Sequence, residues 1–165
     1  MPDNWPEGFE DVLQLVGRLT YSWTNTESLL IHFIAGLAGV DKETALVIFL
    51  TLNTTRARVD LVERLAKLDR VPPELRRRVL ELTGEFMALS ALRNRYSHSI
   101  YAFDVEAGTA RTILMRISDR KDTIKMGLSM DLDDAARKDM ETALSDLAEL
   151  NRRLWALILD SGFPT

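Results

Sequence analysis

A mainly α fold is expected: a four- to five-helix up-down bundle with a short antiparallel β meander before the last helix. Three observations predict it. Apolar residues recur at alternating three- and four-residue steps along most of the chain, the mark of helices with one buried stripe. The period changes to two only between about Ser99 and Met130. No internal repeat or linker divides the 165 residues, so a single domain spanning 1–165 is expected.

The first helix is read from about Glu7 to Ala38, on the seam Phe9, Leu13, Val16, Leu19, Trp23, Leu30, Ile34 and Leu37. Glu27 falls on that seam, where an apolar residue belongs. Gly36, Gly39 and Val40 weaken the helix, and Asp41 reads as the N-cap of the next. That second helix, Lys42 to Leu52, is apolar nearly all round and is expected to be buried centrally or used in a subunit interface. Asn53-Thr54-Thr55 stops it and caps a third helix, which runs to about Leu68. Val71-Pro72-Pro73 then breaks the chain.

Pro73 suits the first turn of a fourth helix. Its seam of Leu75, Val79, Leu82, Phe86 and Leu89 continues onto Arg93 and Tyr96. Strands are expected over Ile100–Val105, Thr109–Ser118 and Thr123–Met130, with turns at Glu106-Ala107-Gly108 and Asp119-Arg120-Lys121-Asp122. The last helix starts near Asp133 or Asp134 and keeps its seam to about Leu159.

Composition excludes several function classes. A net charge of −4 gives the whole chain no general attraction for nucleic acid or anionic lipid. With no cysteine there is no disulfide, thiol nucleophile or thiolate metal site. The N-terminus lacks the basic and apolar regions of a signal peptide, and Leu29–Val40 is too short to span a bilayer. A soluble, cytoplasmic protein with no membrane contact is the expectation.

One stretch carries chemistry: Arg93-Asn94-Arg95-Tyr96-Ser97-His98, at the end of the fourth helix. At about 100° per residue, Asn94 and His98 share a helical face, with Arg93 on the adjacent flank. A guanidinium fork matches a phosphodiester and stays charged at any working pH. An imidazole with an unperturbed pKa of ~6.5 exchanges protons near neutrality. An amide orients either one. Together these roles fit RNA cleavage by attack of the ribose 2′-OH, which needs no metal and no cofactor.

Arg93-Asn94-x-x-x-His98 resembles the signature of the HEPN superfamily: Arg, a polar residue, three further residues and His, late in a long helix of a small α-bundle. The resemblance implies a metal-independent endoribonuclease, often a toxin or defence effector, acting as a homodimer whose paired motifs build one cleft. RNA is then the implied substrate, and an antitoxin or other regulatory protein the implied restraint. Carried over, Arg93 would hold the phosphate, Asn94 would orient, and His98 would be the general acid or base. Arg95, Glu27 and Tyr101 join them as substrate-binding or supporting residues. In one subgroup a modifiable tyrosine lies two residues after the His; Tyr101 is three after His98, which departs from that pattern. The alternative is a catalytically silent HEPN-like bundle that binds a nucleotide or a partner protein.

Each residue also has a purely structural reading. Arg93 and Glu27 both break apolar seams, and an isolated buried charge costs several kcal/mol, so Glu27 is expected to pair with Arg93 or Arg95. His98 suits a helix C-terminus. His32, among Leu30, Ile31, Phe33 and Ile34, is expected to be packed or at an interface. Arg76-Arg77-Arg78 is either an RNA-guiding patch or a solvated first turn. Trp5, Trp23 and Trp155 are core or interface aromatics first.

Overall fold

The computed structural model describes residues 8–104 and 109–165, without the side chains of residues 116, 118–120 and 126. The fold is mainly α: α1 (Phe9–Ser28), α2 (Leu30–Ala38), α3 (Lys42–Thr51), α4 (Thr55–Ala66), α5 (Pro73–Ser97) and α6 (Asp134–Asp160). Between α5 and α6 lies an antiparallel meander of β1 (Ser99–Asp104), β2 (Thr109–Arg120) and β3 (Thr123–Asp131), in the order β1-β2-β3. The expected Glu106-Ala107-Gly108 turn, Val105, Trp5 and the start at Glu7 lie outside the described residues. The chain forms two compact units, Met1–Tyr21 with Ser90–Ser145 and Ser22–Leu89 with Asp146–Thr165.

In the second unit the expected first helix is interrupted. At the α1–α2 junction the bonds shorten to i→i−3: Leu29 N–H donates to Thr26 O (3.2 Å) and His32 N–H to Leu29 O (3.0 Å). Such a tightened turn re-phases the following helix. Leu29 and Leu30, adjacent in sequence, are consequently both buried. Trp23 stacks on Phe86 with ring centroids 4.2 Å apart, and Ile34, Val59, Val62, Val79, Leu154 and Leu157 complete the core.

Gly39 ends α2 in the left-handed conformation (φ 70°), its N–H bonded to Ala35 O, as helix C-caps commonly do. Gly36 has another reason to lack a side chain. A Cβ there would stand 2.0 Å from the Phe163 ring, which packs edge-on against Phe33. Alanine at an interior helix position normally gains ~1 kcal/mol over glycine. Gly36→Ala should instead be destabilising by about 1 kcal/mol, because Phe163 must leave. In a Phe163→Ala background the same change should become stabilising by ~1 kcal/mol. Urea unfolding of the four variants checks the reversal of sign.

Asp41 caps α3 by accepting from Thr44 N–H (2.9 Å), which holds its carboxyl below the usual range. The helix is not central. Only Ala45 and Phe49 are buried, while Leu46, Val47 and Leu50 are exposed. An apolar composition all round made that inaccessible to periodicity: with no polar stripe, the buried face has no sequence marker.

In the first unit, Phe9 packs edge-on against Phe103 (4.3 Å) and Tyr101 (6.3 Å). Arg137 of α6 donates to Gly8 O (3.0 Å), and Asp133 caps α6 by accepting from Ala136 N–H (2.9 Å). β2 runs to Arg120, opposite Thr123, so the expected four-residue turn shrinks to Lys121-Asp122. The β2–β3 register shifts between Leu114 and Ile117, a bulge opposite Gly127 at φ 73°.

Candidate functional site at the end of the fifth helix

α5 keeps its register to the motif. Tyr96 is 3% exposed, as its seam position predicts, and its hydroxyl faces Ala136 O at 3.5 Å. Anchoring Tyr96 fixes the rotation of the last turn. Asn94 and His98 then come out exposed, with Arg93 and Arg95 half-buried between those extremes. His98 N–H still donates to Asn94 O (3.1 Å), so the two side chains stand one helical turn apart. Arg93 Nη1 donates to Asn94 Oδ1 at 2.8 Å, tying the guanidinium to the amide. The structure thus places Asn94 and His98 exposed and one turn apart, with Arg93 half-buried and bonded to the Asn94 amide.

The strand that follows supports the same turn from below. Met115 N–H donates to His98 O (3.3 Å), extending the β1–β2 ladder back to the motif, and Ser99 Oγ donates to Arg95 O. Tyr101 Oη donates to Tyr96 O at 2.8 Å, and burial pushes its hydroxyl up to about 12. Alternation along β1 groups Tyr101 with Ser99 and Phe103, apart from Ile100 and Ala102. Tyr101 is therefore a tie beneath the motif turn.

That tie has a pH signature. Tyr101 binds its proton more tightly folded than unfolded, so its contribution is complete below pH ~10 and is lost as pH rises through the folded value near 12. Wild type should lose more stability than Tyr101→Phe when urea unfolding is moved from pH 9 into that alkaline window.

Glu27 requires a correction. Its carboxylate is buried and paired as expected, but with Arg58 of α4 (2.9 Å) and not with Arg93 or Arg95. Arg58 is placed for it: Nε donates to Phe49 O (3.2 Å) and the guanidinium lies 4.0 Å over the Phe49 ring. A cation already held by two partners costs least entropy to add as a third contact. Glu27 therefore belongs to the core of the second unit.

The other singled-out residues resolve into structure. Arg77 pairs with Glu74 (2.7 Å) and Glu81 (3.0 Å), and Arg78 with Asp160 (3.3 Å). The acid at Glu74 holds the Arg77 guanidinium above its usual range, as that pairing requires. Arg77 and Arg78 are thus engaged in ion pairs, while Arg76 is half-buried with its Nε out of solvent. His32 is buried, its Nδ1 2.6 Å from Pro164 O and its ring 5.1 Å from Trp155. Among the described residues no group of three or more His, Asp or Glu is arranged to hold a metal ion.

Charge is distributed unevenly around the motif. Residues 93–125 hold seven arginines and lysines against four acids, in a chain whose net charge is −4. This local excess escapes a whole-chain count, and a windowed charge profile would have found it. Among the described residues no helix is long and apolar enough to cross a membrane. No protein-family model, curated protein or solved structure matches the chain.

Proposed function

We propose that the chain is a HEPN-like, metal-independent endoribonuclease in which Arg93, Asn94 and His98 act on RNA. The observation that carries this reading is an exposed Asn94–His98 pair one turn apart, with Arg93 bonded to the amide. The basic excess over residues 93–125 supports it by favouring a polyanion beside the motif.

In this reading the Arg93 fork holds the non-bridging oxygens of one phosphodiester, releasing its hold on Asn94 Oδ1 as the phosphate replaces it. Asn94 then orients the imidazole or the phosphate. The 2′-oxygen attacks phosphorus and its proton passes to a base; the P–O5′ bond breaks and the 5′-oxygen receives a proton from an acid. The HEPN resemblance implies a homodimer in which paired motifs supply two His98 imidazoles, one as base and one as acid, and it implies a restraining partner; cytoplasmic RNA is the proposed target.

Cleavage of RNA in EDTA by wild type, His98→Ala and Arg93→Ala tests the reading. Cleavage by wild type alone supports it; equal cleavage by all three, or none by any, overturns it. The silent-bundle alternative would be served by a packed His98, whereas the imidazole is exposed.

A further inference from the structure

The exposed imidazole of His98 has apolar neighbours on the sheet. Met115 N–H donates to His98 O (3.3 Å), which continues the β1–β2 register by one residue and makes Met115 the cross-strand neighbour of His98. Residues opposite each other in an antiparallel ladder project from the same face. Ile100, two residues on and paired with Ile113, lies on that face as well. Met115 is 68% and Ile100 49% exposed, and Ile113 is half-buried beside them.

The opposite face, with Tyr101, Phe103 and the buried Thr112, is the one that packs against Phe9. Gly127, next to the bulge, brings no side chain over the open face; its missing Cβ would stand 3.1 Å from Ile113 Cγ2. The result is a small apolar shelf beside the imidazole. Arg111 lies on the same face, two residues from Ile113, exposed and without an ion pair among the described residues.

Size and charge select the occupant. A protein partner would need ~800 Å² on each side, far more than two side chains offer. A nucleobase needs much less. Every base has a π-face, and a methionine thioether packs well against aromatic rings. The phosphates joined to the base would answer Arg93 and Arg111. We propose that Met115 and Ile100 form a nucleobase subsite, holding a base of single-stranded RNA that adjoins the phosphodiester at Arg93 and His98. The shelf has no hydrogen-bonding group of its own, so it reads the face of an unpaired base and not its edge. The proposal rests on the nuclease reading for the position of the phosphate. Binding is its readout, so cleavage and the subsite can fail separately.

The test is binding of two single-stranded probes of equal length to the full chain: 2′-O-methyl RNA of mixed sequence, which has no free 2′-hydroxyl to attack with, and the same backbone bearing abasic sugars. Wild type is expected to bind the base-bearing probe about tenfold more tightly. Ile100→Thr/Met115→Thr keeps strand propensity and, at exposed positions, the thermal midpoint. It should abolish the preference and leave affinity for the abasic probe unchanged. Arg93→Ala should weaken both probes alike. A wild type that binds both probes equally, or neither, overturns the proposal. So does a preference that survives the double variant, a loss by that variant shared equally between the probes, or an Arg93→Ala chain that binds both as wild type does. The expected pattern in a chain that cleaves no RNA would keep the subsite and sink the nuclease reading.

Discussion

His98→Ala should lower RNA cleavage in EDTA by about 10²–10⁴-fold, the usual contribution of a positioned acid or base. The imidazole is exposed, so its removal should leave stability within ~0.5 kcal/mol of wild type, and a lost activity cannot be laid to unfolding. The arginine separates charge from geometry. Arg93→Lys keeps a cation but loses the fork that both grips Asn94 Oδ1 and matches two phosphate oxygens. Its rate should fall between wild type and Arg93→Ala. Cleavage rates of the three variants against their thermal midpoints decide the matter: a His98→Ala chain as active as wild type sinks the acid–base role, whatever Arg93 does.

The order of elements was legible because each has its own periodicity and a local stop signal. Pro73 opens α5, Asp133 and Asp41 cap where expected, and the period-two stretch coincides with the meander. What escaped depends on contacts between residues distant in sequence. The joint at Leu29 costs no proline or glycine; it is a change from four-residue to three-residue hydrogen bonds, invisible to a seam that bridges both phases. Gly36 reads as a helix weakener until Phe163, 127 positions away, is seen to occupy its missing Cβ.

The candidate site shows the same division. Asn94 and His98 share an exposed face because both lie within one turn, whose geometry is local. Arg93 was expected to need a buried carboxylate behind it, since its register position follows Phe86 and Leu89 on the seam. The helix has nearly ended there, and a half-buried side chain can turn its guanidinium back to the neighbouring amide. Seam position signals burial less well in a last turn than in the middle of a helix.

Glu27, the other seam-breaking charge, is a residue whose loss should be costly in stability. Glu27→Ala should destabilise the chain by about 3 kcal/mol, near the lower end for breaking a buried pair because Arg58 keeps some access to water. The penalty comes chiefly from what remains. Arg58 would still be held by Phe49 O and the Phe49 ring, with its charge no longer answered. Replacing both partners by residues of similar volume, Glu27→Met with Arg58→Met, should therefore recover most of the loss, as apolar packing does not leave an unpaired ion. Urea unfolding of the double-variant cycle gives the coupling directly. If Glu27→Met and Arg58→Met are additive, the pair is a surface contact in energetic terms, and its burial confers nothing. If the double change is markedly less costly than Glu27→Ala alone, the carboxylate on the first helix is there to neutralise Arg58, and the motif at Arg93 to His98 stands without it.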